Sequence, residues 1–414
     1  MRSSTKINTP LLTFQYCILQ GGYWASFCSI YAFATVLLLA KGFSSSQAGI
    51  AVALGNILGV LLQPRFAAIA DSSQKITIQK LTALLGAATA ASFFLLYFVP
   101  NLFLAVFVFF LLTDSFLQVT QPLVNSVSIY YVNRGVSVDF GIARGVGSVS
   151  YAAASSALGR LIEKKGADVI IFAALLFLAL MILALLSMPV LPQPVKTERS
   201  EIQADHTAAP KNNGKRETIF SFFLRYRRFT VALIGVTLLF TFHNMTNSYL
   251  IQIVTSLGGN SASMGTALSV AAVCEIPAML VFSKLLKRFS SSRLLMLSGV
   301  FFAAKAAAYL LAVTMPQFYL AQILQMGSFA LYIPASVYYV NETMEDADKF
   351  KGQAVMTATN TLGGVIGSLI GGILLDYAGV TPLLVTGFAA AVLGAVLLFF
   401  ACRNTGTKNR QPDV

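Results

Sequence analysis

Apolar runs of roughly 20 to 30 residues follow one another along the whole chain, separated by short polar connectors. Each is long enough to cross the hydrocarbon core of a bilayer with some tilt. Inside lipid every backbone N–H and C=O must be satisfied within the segment, so such runs are read as helices. They fall near 12–40, 47–70, 76–98, 102–132, 139–163 and 167–190, and again near 221–256, 261–287, 293–314, 316–341, 350–377 and 381–402. The expected fold is an all-α polytopic membrane protein with about twelve transmembrane helices in two six-helix bundles.

The charge content agrees. Of 414 residues only 11% are charged, against about a quarter in soluble domains. The net charge of +13 does not point to nucleic acid, because the basic residues sit in the connectors and form no stripe. Counted by connector, Lys80, Arg134, Lys284, Lys287, Arg288, Arg293, Lys349, Lys351 and Arg403 fall on one side with both termini. The other side keeps Lys41, Arg160, Lys164 and Lys165. Basic residues accumulate on the cytoplasmic face, so both termini are expected there and the chain is expected in the cell membrane. The connector at 341–351 departs from the pattern, with Glu342, Glu345, Asp346 and Asp348 outnumbering its lysines. Arg2 and Lys6 precede an apolar run as in a signal peptide, but the run continues to about Ala40 and reads as the first span.

The division expected is 1–190 for the first bundle, 191–220 for a polar cytoplasmic linker containing His206, 221–402 for the second bundle and 403–414 for a tail. Cys17, Cys28, Cys274 and Cys402 lie in or beside apolar runs without metal-ligand spacing, as buried small hydrophobes do.

The halves echo one another. FGIARGVGSVSYAAASSALGRLIEKKG (140–166) answers 350–379, both glycine-rich in the middle, one ending EKKG and the other DYAG. SSSQAGIAVAL entering the second span answers SASMGTALSV entering the eighth, and Pro122 with SIYYVN answers Pro334 with SVYYVN. Two parallel repeats imply bundles that face each other around a site near the middle of the membrane.

Charges inside spans are costly and usually functional. They are Asp114, Arg144, Glu275 and Lys305, with Arg65 and Asp71 near one end of the second span. At 1.5 Å per residue, Glu275 and Lys305 each lie roughly 20 Å from the start of their spans, so the two can pair directly. Asp114 lies about 16 Å along its helix from Asn125, the position level with Arg144. Arg144 is thus expected to meet either Glu275 across the interface or an anionic substrate; its alternative is an arginine snorkelling to headgroups. Tyr151 follows Arg144 by two turns and shares its face. Gln20, Tyr23, Asn56, Gln118, Gln121 and Asn125 from the first half, with Asn244, Asn247, Gln325 and Asn360 from the second, supply polar groups for a site. His243 is either a proton carrier or a helix-to-helix hydrogen-bonding residue. Trp24, the only tryptophan, is either a packing residue or a wall of the cavity.

With these residues in view, the chain resembles the major facilitator superfamily along its whole length. Three segments resemble its oligosaccharide–proton symporter branch, to which lactose permease belongs: GGYWASF in the first span, QAGIAVALGNILGVLLQPRFAAIAD in the second and FGIARGVGSVSY in the fifth. The resemblance implies that Arg144 bonds substrate hydroxyls and that Tyr151, where the branch has tryptophan, stacks on a sugar ring. It also implies that Glu275 contacts sugar and couples to protons, with Lys305 as a basic partner. Departures are equally specific. Asn125 stands where the branch has an acidic partner for the arginine; Gln325 and Ser328 stand for its histidine and glutamate. Thr246 and Asn360 replace two further charged positions, so most of that proton relay is absent.

The function expected is secondary active transport by alternating access: proton-coupled uptake of a small polar solute such as a saccharide or glycoside. Nucleosides, small organic or aromatic acids, and outward-moving drugs or metabolites are the other substrates considered, and a transporter-like sensor is the reading from another class. No GxxxxGK[ST] segment, nucleophile–base set or metal-ligand cluster is found, so neither enzyme activity nor a metal or other cofactor is expected. The partners expected are the small-molecule substrate, protons and the lipid bilayer, without nucleic acid, for a chain working as a monomer.

Overall fold

The computed structural model describes residues 8–72, 76–99, 102–191 and 219–403. Nearly all of the expected linker at 191–220, with His206, and the tail from 404 lie outside the described residues, as do Arg2 and Lys6. The helices of the first half are α1 (Thr9–Phe27), α2 (Ala34–Ala40), α3 (Ser45–Ser72), α4 (Ile78–Phe98), α5 (Phe103–Val132), α6 (Phe140–Lys165) and α7 (Val169–Ser187). Those of the second are α8 (Ile219–Arg225), α9 (Arg227–Ser248), α10 (Leu250–Ser256), α11 (Ser261–Arg288), α12 (Ser291–Leu311), α13 (Met315–Gln322), α14 (Phe329–Thr343), α15 (Asp346–Tyr377) and α16 (Val380–Cys402). Among the described residues ten helices are long and apolar enough to cross a membrane, or eleven when the bent pair α1 and α2 is one span. The remaining crossing is α6, long enough at 26 residues but low in hydropathy because its surface is glycine, alanine and serine.

Three expected spans are broken where one continuous helix was predicted. The first bends by 46° after a π-helical turn at Cys28–Ala32. The seventh changes course at Tyr249, between α9 and α10. The tenth is interrupted by a 3-10 turn at Ile323–Gln325. Such breaks are tolerated in lipid only where neighbouring helices or a cavity cover the freed backbone. The acidic connector also has a local cause: Asp346 and Asp348 form the first turn of α15, where negative charge meets the positive end of the helix dipole. The reverse holds for Lys164 and Lys165 in the last turn of α6.

Within each half the helices pack closely on one another. α1 lies against α6 and α7, and α5 against α3 and α4; in the second half α9 lies against α15 and α16, and α12 against α14 and α16. Between halves, two helix pairs dominate: α6 with α11, and α3 with α15. These pairs are equivalent under the sequence repeat. Both are made of small residues, which let backbones approach closely. A Cβ on Gly159 would stand 3.1 Å from the Cα of Ala262 and 3.2 Å from that of Gly265. Ser155 and Ser269 bring their hydroxyls to 2.9 Å across the first pair. Across the second, the Tyr249 hydroxyl donates to the carbonyls of Ser45 and Ser368.

The two pairs are also closed by carboxylates. Asp376, at the end of α15, accepts the backbone N–H groups of Ser45 and Ser46 at 2.9 and 2.8 Å. Glu163, at the end of α6, accepts that of Ser261 at 2.8 Å. Each half therefore caps a helix N-terminus of the other. The acids are those of the DYAG and EKKG endings, and the N-termini are the repeated serine segments. All four elements meet on the face away from both described chain ends, so that face is shut.

Losing such a cap to alanine costs about 0.5–2 kcal/mol, so Asp376→Ala is expected to raise the ratio of open to shut at this face roughly 2- to 30-fold, and adding Glu163→Ala to raise it further. Spin labels at Leu102→Cys and Val313→Cys, on opposite halves of that face, read this directly. Expected is a longer-distance population that grows from wild type to single to double variant; an unchanged distribution contradicts the capping role.

Candidate functional site

Between the halves lies a cavity of about 770 Å³, within the range of small-molecule sites, lined by α1, α3, α5 and α6 on one side and by α9, α11, α12, α14 and α15 on the other. Its lining reaches Gln63 on α3 and Phe350 and Gln353 on α15, all towards the face of the chain ends. Phe350 is 88% exposed there. The cavity is therefore open on the face opposite the shut one.

On the first half the wall is built outward from Gln20, which is wholly buried. Its amide nitrogen donates to the Tyr16 hydroxyl at 2.8 Å and to Asn125 Oδ1 at 3.1 Å, and its Oε1 accepts the indole N–H of Trp24 at 3.1 Å. Three polar groups thus fix one ring. Trp24 presses on α6 at Gly147, where a Cβ would stand 3.2 Å from the indole Cγ. The free face of the ring carries the guanidinium of Arg144, whose Cζ is 4.1 Å from the ring centroid. That is cation–π contact. Arg144 Nη1 donates to Ser148 Oγ at 3.0 Å. Beyond it lie Tyr151, Phe27 and Tyr31, the last two stacked at 4.9 Å. Asn56 and Gln118 complete the wall: Gln118 Nε2 donates to Asn56 Oδ1 at 2.7 Å, and Asn56 to the Tyr31 hydroxyl at 3.2 Å.

On the second half the charges are linked in a way the sequence reading did not anticipate. Lys305 and Glu275 do not pair directly; Gln325 stands between them. Lys305 Nζ donates to Gln325 Oε1 at 2.5 Å, and Gln325 Nε2 donates to Glu275 Oε1 at 2.9 Å. The 3-10 turn at Ile323–Gln325 carries the glutamine into this position. An amide offers both a donor and an acceptor, so one neutral side chain satisfies both charges. Among the described residues neither Arg144, Glu275 nor Lys305 takes part in an ion pair. His243 stacks on Phe329 at 4.9 Å and 14°, and its Nε2 meets Asn247 at 3.1 Å. Its Nδ1 is buried with no partner. Asn360 accepts from the Tyr332 hydroxyl at 2.9 Å.

The expected site residues therefore separate. Arg144, Tyr151, Trp24, Glu275, Lys305, His243, Asn247, Gln325 and Asn360 line one cavity. Gln20 and Asn125 stand behind it and hold Trp24 in place. Tyr23 is buried behind it too, its hydroxyl donating to the Leu117 carbonyl at 3.2 Å. Asp114 lies away from the lining, fully buried against Gly55, with neither carboxyl oxygen hydrogen-bonded. Ser148 and the rings of Phe27, Phe240 and Phe329 were not expected from sequence as site residues. Ser148 had a signal, one turn after Arg144; the phenylalanines had none among the 32 in the chain. Among the described residues no group of His, Cys, Asp or Glu is arranged to hold a metal ion.

A model of the MFS_1 like family matches residues 18–384. The maltose permease of Geobacillus stearothermophilus is 26% identical over 362 residues, 86% of this chain and 83% of the relative. Among solved structures, the nucleoside transporter NupG superposes with a TM-score of 0.74 at 18% identity, covering 97% of this chain and 100% of that one. The POT family transporter PepTSo gives 0.70 at 11%, covering 96% and 99%.

Because Trp24 is the only tryptophan and lies under Arg144, it is a built-in reporter. A solute that engages Arg144 is expected to change the tryptophan emission saturably, and Trp24→Phe to remove the signal. Binding detected by another method with no change in emission contradicts contact at this wall.

Proposed function

We propose that this chain, which belongs to the MFS_1 like family and is a membrane transporter of that type rather than an enzyme, works by alternating access. We propose further that it takes up a small polar solute, a saccharide or glycoside, together with protons. The observation that carries this reading is one cavity walled by both halves, open on one face and shut on the other by two repeat-related helix pairs. If the halves rock about this cavity, the capped pairs separate as the vestibule near Phe350 and Gln353 closes. One site is then offered to the two sides in turn.

The lining supports a solute rich in hydroxyls. Amides of Asn247 and Asn360 and the guanidinium edge of Arg144 supply donors and acceptors, while Trp24, Tyr151 and Phe329 supply ring faces. For coupling we assign Glu275 the exchanging proton: its Oε1 is held by Gln325, leaving Oε2 for solute or proton. Lys305 senses that charge through the shared glutamine, and His243 neighbours it. Asp114, buried without a hydrogen-bond partner, is the second protonatable group, remote from the lining. On this reading the vestibule faces the cytoplasm, as the charge bias supports, and the protein works as a monomer in the cell membrane. The maltose permease relative supports a saccharide; the nucleoside and peptide transporters share the fold.

The test is uptake into proteoliposomes of the full chain with labelled maltose, glucose, phenyl glucoside and uridine. An imposed gradient, acid outside, is expected to drive saccharide or glycoside accumulation that collapses with a protonophore. Glu275→Gln is expected to lower accumulation at least tenfold while exchange continues. Uridine alone accumulating, or saccharide merely equilibrating, contradicts the corresponding part of the reading.

A further inference from the structure

Besides His243, three acidic or basic side chains line the cavity: Arg144, Glu275 and Lys305. Their hydrogen bonds divide them unequally. Glu275 lies within electrostatic reach of both cations, Arg144 as well as Lys305, but its hydrogen bond runs through Gln325 to Lys305 alone. One carboxylate thus faces two cations, and Arg144 takes no hydrogen bond to it. Its contacts are a neutral hydroxyl, Ser148 Oγ, and the face of Trp24. Of the five N–H donors of a guanidinium, one meets a protein acceptor among the described residues. Asp114, the other acid in this part of the membrane, is turned to Gly55 between α3 and α5, away from the lining. The wall that holds the guanidinium is rigid: Gln20, Tyr16 and Asn125 fix the indole, and Gly147 admits it against α6.

We infer that the solute of this cavity is an anion bearing a carboxylate, seated on the free N–H edge of Arg144 with its ring or apolar body against Tyr151 and Phe27. The inference rests on the reading of this cavity as the transport site and narrows the substrate from saccharides or glycosides in general to acidic ones. Hydroxyls can accept the same N–H bonds, but they leave the positive charge standing. Closure of the vestibule removes water from around Arg144, and a desolvated charge left without a counter-charge is strongly unfavourable. A carboxylate fits the fork of the guanidinium with two parallel hydrogen bonds and removes the charge at the same time. The link through Gln325 matters for the same reason. A negative charge arriving near Glu275 would be repelled, whereas Lys305 and the amide hold that carboxylate to the opposite wall. Uronic acids and aryl or alkyl uronides fit this combination of a hydroxylated ring, an apolar face and one carboxylate.

The test uses matched pairs that differ in the carboxylate alone. Phenyl glucuronide is set against phenyl glucoside, galacturonate against galactose, and benzoate against benzamide, each titrated against the purified full chain. Binding is read by Trp24 emission and by thermal stabilisation, which follows binding by mass action. The acidic member of at least one sugar pair is expected to bind at least tenfold more tightly than its neutral partner. Arg144→Gln is expected to abolish that preference and Arg144→Lys to retain part of it. The comparison within a pair needs no variant, so a misfolded Arg144→Gln leaves it decisive. Neutral members binding as tightly as acidic ones overturn the inference and leave the saccharide reading standing. Benzoate alone showing the preference sustains the anion site and removes the saccharide. A panel in which no carboxylate binds overturns the inference.

Discussion

The structure depends on two close helix contacts, α6 with α11 and α3 with α15. Small residues bring these backbones together, and Asp376 and Glu163 finish the contacts by accepting N–H groups that the facing helix ends leave unbonded. In lipid, apolar faces gain little from meeting each other, so packing of small residues and interhelical hydrogen bonds carry association. Confining those contacts to one face leaves the rest of the interface unfilled. The cavity is what remains.

That geometry makes the charges inside it consequential. On insertion scales one charged side chain at mid-membrane costs about 2.5–3.5 kcal/mol. At about 4 Å and an effective dielectric near 20, an opposite charge returns on the order of 4 kcal/mol. The second half meets this by linking Lys305 to Glu275 through Gln325. The first half supports Arg144 on an aromatic face instead, worth roughly 0.5–2 kcal/mol, which falls short of the insertion cost. Arg144 is the group through which a counter-charge from the solute would act most strongly.

Much of this was legible in the sequence. Run lengths gave the crossings, and the repeat anticipated that 140–166 and 350–379 play equivalent parts, which the paired caps of Glu163 and Asp376 bear out in geometry. The depth argument brought Glu275 and Lys305 to one level, and both line one cavity with Arg144. What was not legible depends on side-chain register. Nothing in a linear reading places Gln325 between Lys305 and Glu275, because a 3-10 turn rotates it there. The bend after Cys28 and the break at Tyr249 carry no proline at the break itself. Gln20 and Asn125, read as solute contacts, serve the wall from behind, a distinction that burial decides and composition does not.

The most direct test of alternating access locks the shut face and asks who can still reach the cavity. In a background with the four native cysteines replaced, Ser155→Cys and Ser269→Cys place two thiols where hydroxyls now lie 2.9 Å apart. Thr357→Cys, in the lining, reports access to a membrane-impermeant maleimide in vesicles of either orientation. Expected is labelling from both faces before oxidation, and labelling from the face of the chain ends alone once the disulfide forms, reversed by reductant. Labelling from the far face that continues at the same rate with the disulfide in place would contradict two halves rocking about one central site.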